Sequence, residues 1–471
     1  MMGVLESAGV VVRLAYVGGV LAEGESPNFG RTMTLLPLPD GSLPTVEIRS
    51  MACESWNAFL RLFDGFDDED ALPANVVLVG EVCNAAGDVV LWSGDGHKIV
   101  HDTVMVDNGD VVYMGLGSDQ WVWPATESVF DVSLHTPRWI KAHVPDFAPL
   151  PLPLQMTPLA ARPRLFHVAK LLSVQETWYL RMLGRRAGLA ASGVLDGVDT
   201  DRRSSRTASL ASAELGGDTF LLALRARAQS LLRLDDSVGF ASVEALQVVR
   251  YEAGQKFGLH YDALVDDGAI NMTRPSPSRT HQRFATIFAV LGTDDEADAS
   301  GRPPHRDTPP ADPGAPGSPT IFPLAKSSSE LAACFPECAP IGDIPYLPFG
   351  EQASGRDPCQ VRDSGVGIEL AQGDAVVFYS HLAHGQAGAF LDKWSLHGGC
   401  EVPATAPTKW GLNIWFSSHV LVNDDGDTMY TPGRSPAEMA ALLDEHDDEY
   451  DEYDEYDDKG GESDDELHDE L

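Results

Sequence analysis

The order of helical and strand-like segments in the second half of this chain most constrains its fold. Ser173-Val174-Gln175-Glu176 has the spacing of a capping box and predicts a helix that runs through Gly188. A second helix is predicted for 218–234, because apolar residues recur there with helical period. Four strand-like runs are also present, at 246–251, 283–291, 374–379 and 409–416. The pattern predicts a mainly β unit with packed helices, which is an α+β arrangement.

Six prolines between positions 142 and 164 mark the predicted start of this unit. Proline lacks a backbone N–H and disfavours helix, so we expect a proline-rich linker at 142–164. Ahead of it, runs rich in valine and aromatic residues are separated by Gly, Asp and Asn, which predicts a small β-rich domain at 1–141. Its strands are expected at 76–82, 89–92 and 111–114. That domain contains no catalytic constellation, and its role stays open.

Two segments are predicted to be disordered. Segment 293–319 is dominated by Asp, Pro, Gly and Ala, and it cannot bury enough apolar area to offset the entropy of ordering. The tail at 444–471 has 17 acidic residues and one lysine, so it carries −16 of the net charge of −38. Self-repulsion should keep the tail unfolded, as a solvating segment or as a tether for basic partners. The acidity of the whole chain argues against nucleic acid as a partner.

The two ends of the chain point to different compartments. His468-Asp469-Glu470-Leu471 has the form of a retrieval signal for the endoplasmic reticulum. The apolar run at 8–22 is preceded by Glu6 and interrupted by Arg13, which is unlike a secretory signal. We expect the lumen of the endoplasmic reticulum, with the cytoplasm as the alternative. No run approaches 18 uncharged apolar residues, so no transmembrane segment is expected.

Six cysteines in 471 residues do not form a disulfide scaffold. Cys334, Cys338 and Cys359 lie close enough in sequence to pair or to bind zinc, although neither pattern has a common spacing. A disulfide among them is expected if the chain is secretory, and ordinary thiols are expected otherwise.

His260 and Asp262 form a candidate metal site. Residues two apart on a strand point to the same face and can converge on one ion, and His397 would complete the set. Two neutral imidazoles and one carboxylate hold Fe(II) while leaving positions open for a cosubstrate and O2. An isolated His-x-Asp is usually incidental, so the interpretation depends on the motifs around it. His381 and His384 are rival ligands, which we interpret as loop histidines.

From about residue 163 to about residue 418 the chain resembles the prolyl 4-hydroxylase group of the 2-oxoglutarate- and Fe(II)-dependent dioxygenases. The resemblance rests on motifs in the expected order, at 246–262, 282–286, 317–323, 373–378, 395–400 and 409–410. It implies a catalytic domain at 165–420 with a double-stranded β-helix, or jelly-roll, fold. Three departures concern the mouth and edges of the site. The Gly-Gly-Glu of a Gly-Gly-Glu-Thr segment is reduced to Gly317-Ser318-Pro319 before Thr320, Lys409 follows His397 by twelve positions rather than about ten, and the acidic, proline-rich insertion before that segment has no family counterpart.

The resemblance also implies a reaction and its participants. A peptidyl proline in a proline-rich partner would be hydroxylated at carbon 4, while 2-oxoglutarate is decarboxylated to succinate and CO2. The cofactors would be Fe(II), 2-oxoglutarate, O2 and ascorbate. Extended proline-rich peptides suit an open groove because little entropy is lost on binding. The implied site residues are iron ligands His260, Asp262 and His397; cosubstrate residues Lys409, Tyr251, Thr320 and Trp415; and a peptide-binding residue, Arg283.

Lys409 would bind the far carboxylate of 2-oxoglutarate, with the Tyr251 and Thr320 hydroxyls as further donors. Trp415 has an equal claim to be a core aromatic on a strand. The fold does not fix the substrate, so one alternative is an oxygenase that acts on another side chain or on a small molecule. Another is a non-catalytic binding protein on the same fold, against which the intact site residues argue. Oligomeric state and the choice of prolines stay open.

Overall fold

The computed structural model describes the part of the chain from residue 153 onward in long stretches and the part before it in shorter pieces. The described residues are 10–16, 32–35, 43–60, 89–93, 95–105, 111–116, 121–124, 129–137, 140, 153–192, 203–211, 213, 217–234, 243–263, 283–294, 318–327, 329–330, 333, 359, 365–380, 392–405 and 408–417. The predicted disordered segments fall outside them, the first except for residues 293, 294, 318 and 319.

Among the described residues before 141, the elements are one helix and seven strands. The strands are β1 (Val10–Tyr16), β2 (Thr32–Leu35), β3 (Leu43–Pro44), β4 (Val89–Trp92), β5 (Thr103–Val104), β6 (Val111–Leu116) and β7 (Phe130–Val132), and the helix is α1 (Thr45–Leu60). β2, β1, β6 and β4 form one sheet, and β3 pairs with β5. The expected strands at 89–92 and 111–114 are confirmed, the one at 76–82 lies outside the described residues, and the helix α1 was not expected.

The described residues from 153 onward form two α-helices and twelve strands. The helices are α2 (Val174–Ala187) and α3 (Thr219–Leu231). The strands are β8 (Leu154–Ala160), β9 (Leu165–Ala169), β10 (Ala190–Ala191), β11 (Arg206–Ser209), β12 (Gln247–Glu252), β13 (Phe257–His260), β14 (Arg283–Gly292), β15 (Thr320–Phe322), β16 (Val366–Ile368), β17 (Ala375–Tyr379), β18 (His397–Gly399) and β19 (Thr408–Ser417). Both predicted helices and all four predicted strands are therefore confirmed, with shifts of a few residues at their ends.

Two sheets form the jelly roll. The major sheet has nine strands in the order β10-β11-β12-β19-β14-β17-β9-β8-β7, and the minor sheet has four in the order β13-β18-β15-β16. Apolar side chains meet between the two sheets, where the rings of Phe322 on β15 and Phe378 on β17 lie 5.1 Å apart. The fold is the one expected from the sequence, and its minor sheet carries two of the candidate metal ligands.

The two helices cover the major sheet. Helix α2 begins with the predicted capping box, in which the Ser173 hydroxyl accepts from the Glu176 N–H and the Glu176 carboxylate accepts from the Ser173 N–H. Helix α3 begins at the Asp218 cap, whose carboxylate accepts from two backbone N–H groups. Leu180 of α2 and Leu224 of α3 are fully buried in the same apolar core as the strands.

The predicted linker is not a linker over its whole length. Residues 154–160 form β8, which pairs with both β9 and β7 inside the major sheet. Residues before a proline favour extended backbone, and Pro158 sits where the pairing of β8 with β9 shifts register, so the prolines do not prevent a strand here.

The predicted boundary between an N-terminal domain and the catalytic unit is wrong for residues 121–137. Trp121 and Trp123 are buried in the same core cluster as α2, α3 and the major sheet. The Trp123 indole donates to the Leu231 carbonyl at 2.8 Å, and β7 extends the sheet itself. These residues are part of the catalytic fold, because burying their indoles outweighs the proline signal that follows them. Among the described residues, no helix has the length and apolarity that a membrane crossing needs.

Candidate active site

His260 and His397 come from neighbouring strands of the minor sheet. They are paired directly across β13 and β18, so their side chains share one face, and their ring centroids are 4.3 Å apart. Gly398 lets the strands approach, because a Cβ there would lie 3.1 Å from the Phe257 carbonyl oxygen. The local sequence thus sets both imidazoles side by side in a buried position.

Asp262 closes the cluster. Its carboxylate oxygens lie 3.5 Å from His260 Nε2 and 3.7 Å from His397 Nε2. One ligand atom from each of the three residues lies within 4.8 Å of the others. The structure therefore brings together the three residues that the sequence indicated as iron ligands.

The hydrogen bonds around the cluster prepare it for a metal. His260 Nδ1 donates to the Gly258 carbonyl at 2.8 Å, and His397 Nδ1 donates to the Ser395 carbonyl at 2.9 Å. Each imidazole then presents an Nε2 lone pair towards the cluster, which is the tautomer that a metal requires. The Thr286 hydroxyl donates to Asp262 at 2.7 Å and orients the carboxylate. This donor set of two imidazoles and one carboxylate fits Fe(II).

Burial and mutual proximity shift the pKa values in the direction that metal binding needs. Burial lowers the pKa of His397 to about 4, and the neighbouring His260 adds to this effect, so the ring is neutral near pH 7. Burial alone would raise the pKa of Asp262, but His397 and His260 hold it well below its usual range. The carboxylate is therefore ionised, and it offers one negative charge beside the neutral imidazole of His397.

Lys409, the predicted cosubstrate residue, lies on β19 with its ammonium 5.7 Å from the Phe288 ring centroid. It is directly opposite Tyr251 in the pairing of β12 with β19, so the two side chains share a face. The Lys409 ammonium donates to the Ser318 carbonyl, two residues before Thr320. Desolvation lowers the pKa of Lys409 to about 8, opposed by the carboxylate of Glu369. A cation in a buried, hydroxyl-bearing pocket is suited to a carboxylate ligand.

Arg283 forms a second feature near the metal cluster, which we call the arginine shelf and define as Arg283, Glu244 and Trp415. Arg283 bonds Glu244 through two nitrogens, at 2.6 and 2.7 Å, and its guanidinium lies 4.0 Å from the Trp415 ring centroid. It is close enough to Asp262 to lower the pKa of that carboxyl further. The Arg283 side chain keeps 22% exposure, so it is held by its neighbours and still reachable by a substrate.

Trp415 was predicted to line the cosubstrate pocket, and the structure places it in the arginine shelf instead. It follows Lys409 by six residues on the same strand, which separates them by roughly 20 Å. The sequence analysis missed Glu244, which precedes β12 and carries no motif of its own. His381 and His384 lie outside the described residues.

The cysteine prediction is also corrected. Cys359 is disulfide-bonded to Cys400, 41 positions along the chain, and not to Cys334 or Cys338. The bridge attaches Cys359 to the residue just after β18, three positions beyond His397. Cys359 packs with Leu259, Ile321 and Cys400 in one apolar cluster, so tertiary packing rather than short sequence separation brings the two cysteines together.

Comparison with known proteins agrees with this geometry. Residues 246–417 match the model of the 2OG-Fe(II) oxygenase superfamily. These residues contain all three candidate metal ligands and Lys409. Residues 246–417 therefore form a 2-oxoglutarate- and Fe(II)-dependent dioxygenase domain, whose cofactors are Fe(II), 2-oxoglutarate and O2.

The chain is also similar to individual prolyl hydroxylases. The chain is 26% identical to "Probable prolyl 4-hydroxylase 3" of Arabidopsis thaliana over 55% of this chain and 70% of that protein. It is 24% identical to "Prolyl 4-hydroxylase 2" of the same plant, over 62% and 80%. Among solved structures, viral collagen prolyl hydroxylase of Paramecium bursaria Chlorella virus-1 is 19% identical, with a TM-score of 0.31, over 54% of this chain and 95% of that one. Within the superfamily, the named relatives to which the chain is similar are prolyl 4-hydroxylases.

Proposed function

We propose that this enzyme hydroxylates peptidyl proline at carbon 4. The observation that carries the proposal is the combination of the His260-Asp262-His397 cluster with Lys409 in one site. Its curated relatives are named as prolyl 4-hydroxylases. Bound Fe(II) would supply the oxidising chemistry, in which one oxygen atom of O2 enters a C–H bond and the other enters succinate as 2-oxoglutarate loses CO2.

The residues of the chain would hold and orient the reactants. His260, Asp262 and His397 would hold the metal from one side and leave the opposite side for ligands. Lys409 would bind the distal carboxylate of 2-oxoglutarate, with Tyr251 and Thr320 as hydroxyl donors. The half-buried ring of Phe257 stacks on His260 and the buried ring of Phe322 stacks on His397, so both rings would shield the imidazoles from water.

The arginine shelf is the proposed contact with the peptide. A proline-rich peptide in the polyproline conformation offers backbone carbonyls that lack competing internal hydrogen bonds. Arg283, held by Glu244 and Trp415, would donate to these carbonyls and fix the target ring near the metal. This arrangement would bind an extended peptide at low entropic cost because the guanidinium is already ordered.

Mass spectrometry tests the reaction. Purified protein would be incubated with Fe(II), 2-oxoglutarate, ascorbate and a proline-rich peptide, beside the same peptide with alanine in place of proline. The proposal predicts a gain of one oxygen atom on proline alone, with 4-hydroxyproline after hydrolysis.

Turnover of 2-oxoglutarate without peptide oxidation would favour an oxygenase acting on another substrate. Absence of Fe(II) and 2-oxoglutarate binding would favour a non-catalytic binding protein. Omission of ascorbate should shorten the active period.

We also propose the lumen of the endoplasmic reticulum as the location. Every cysteine among the described residues is disulfide-bonded, namely Cys53, Cys359 and Cys400, which is typical of an oxidising compartment. The retrieval-like sequence at 468–471 supports the same location. Imaging of a tagged chain with and without these four residues tests it, because loss of the signal should release the protein from the reticulum. A cytoplasmic distribution of both forms would contradict it.

A further inference from the structure

A short turn just before His397 sets the orientation of this histidine. Residues Lys393–Ser395 form a single 3-10 turn capped by Asp392, whose carboxylate accepts from the Trp394 N–H at 3.1 Å. The Asp392 carbonyl accepts from the Ser395 N–H at 2.8 Å. The Ser395 carbonyl is in turn the acceptor for His397 Nδ1. The imidazole is therefore oriented by a turn that depends on Asp392.

Arg162 holds this turn from a distant part of the chain. Its Nε donates to the Asp392 carboxylate at 3.2 Å, and its guanidinium lies 4.6 Å from the Trp394 ring centroid. The side chains of Arg162 and Asp392 are 14% and 4% exposed, so water screens the pair only weakly. One arginine thus contacts both the capping residue and the tryptophan two positions after it.

The backbone of Arg162 pairs with Lys326, which lies near the minor sheet. Its carbonyl accepts from the Lys326 N–H at 2.8 Å, and its N–H donates to the Lys326 carbonyl at 3.2 Å. Lys326 lies shortly after β15, and β15 pairs with β18, the strand that carries His397. Arg162 therefore joins the segment after β15 to the turn before β18.

We propose that Arg162 is a positioning residue for the metal centre, acting through Asp392 and Ser395 on His397. The inference rests on the proposed role of His397 as an iron ligand. Arg162 falls within the segment that the prolines mark as a linker, so sequence alone gives it no role in the site. Residues that hydrogen-bond metal-bound histidines tune metal affinity. Ser395 is such a residue for His397, and Arg162 acts on Ser395 through Asp392.

A purely structural role would give a different result. If the Arg162–Asp392 pair only stabilised the fold, its loss would lower the unfolding temperature and leave metal affinity unchanged. The Arg227–Glu176 pair is a matched control, because it is also a largely buried arginine–carboxylate pair. It joins α3 to α2, and Arg227 also donates to the Leu171 carbonyl rather than to a site residue.

The experiment measures Co(II) binding by visible absorption, together with thermal unfolding of the metal-free protein, for the full chain. Arg162→Met and Asp392→Asn should each weaken Co(II) binding by about 10- to 100-fold and change the absorption band. Arg162→Lys should restore part of the affinity, because it keeps the charge but loses the planar fork. Arg227→Met should lower the unfolding temperature and leave the Co(II) affinity within about twofold of the original protein.

The outcomes separate this inference from the proposed function. Co(II) affinity within about twofold of the original in both Arg162→Met and Asp392→Asn would overturn the inference, whatever their unfolding temperatures. If Arg162→Met fails to fold, Asp392→Asn decides, because asparagine keeps a side-chain oxygen for the cap but not the charge. If the original protein binds no Co(II), or binds it equally after His397→Ala, the metal centre itself is refuted and this inference falls with it.

Discussion

His260 and His397 occupy directly opposed positions on two antiparallel strands, and their imidazole rings are 4.3 Å apart although 137 residues separate them. This pairing makes the metal site a property of the minor sheet rather than of a loop. Both Nδ1 atoms are fixed by backbone carbonyls, so strand geometry determines where the Nε2 atoms point. The site is therefore ordered before a metal binds, and its outer contacts should affect metal affinity measurably.

Thr286→Val should weaken metal binding. The substitution keeps the shape of the buried side chain and removes the hydroxyl that orients Asp262. Loss of such a contact typically lowers metal affinity or activity by about 10- to 100-fold. Titration with Fe(II) or Co(II) without oxygen measures the change. Thr177→Val is the control, because Thr177 is equally buried but its hydroxyl bonds the Val174 carbonyl and the Gln372 side chain rather than a metal ligand. Equal affinities in the two variants would contradict the role of Thr286.

Affinity for 2-oxoglutarate should fall as the pH rises through about 8. Desolvation depresses the pKa of Lys409 to about 8, so the free enzyme has a protonated ammonium below this pH and loses it above. Only the protonated form attracts the distal carboxylate. The dissociation constant should therefore be insensitive to Lys409 below pH 7 and should rise by about tenfold per pH unit well above pH 8.

Isothermal titration of metal-loaded protein with 2-oxoglutarate across this pH range measures the dependence. Lys409→Arg is the control, because a guanidinium stays charged throughout, so its affinity should be lower overall but flatter with pH. A flat profile for the original protein up to pH 9.5 would exclude Lys409 as the partner of the carboxylate.

Residues whose chemistry is encoded locally could be predicted from the sequence. His260 and Asp262 are two apart on a strand, so one-face geometry follows directly from period-2 alternation. Helix α2 begins at its capping box, because Ser173 and Glu176 satisfy backbone donors that are fixed by local spacing. The apolar strands of the major sheet could also be predicted, because runs of apolar residues are a local feature of the sequence.

Features that depend on tertiary pairing could not be predicted. Strand β8 forms because β7 and β9 pair with it. The sequence of 154–160, which contains Pro158, does not indicate a strand by itself. The Cys359–Cys400 bridge and the Arg283–Glu244 pair each join segments that the fold alone brings together. Arg162 reaches the turn before His397 across 230 positions of sequence.

Replacing Cys359 and Cys400 together by serine should lower the free energy of unfolding. The bridge closes a loop of 41 positions, and the loss of that constraint on the unfolded chain corresponds to about 4 kcal/mol at most. Urea unfolding of the double variant measures the difference. The double variant leaves no unpaired thiol. It also leaves the Cys53 disulfide intact, whereas a reducing agent would break it. An unchanged free energy of unfolding would contradict a stabilising role for the bridge.

Glu244→Gln should weaken peptide binding without impairing the metal or cosubstrate sites. Gln keeps the size of the side chain but loses the charge that holds Arg283 through two hydrogen bonds, at 2.6 and 2.7 Å. Charge-assisted bonds contribute about 1.5–3 kcal/mol, so the KM for peptide should rise by about tenfold or more. Peptide-independent turnover of 2-oxoglutarate should stay unchanged. Glu252→Gln is the matched control, because Glu252 pairs with Arg250 at the surface and is 51% exposed. A Glu244→Gln enzyme with an unaltered peptide KM would remove the arginine shelf from the substrate site.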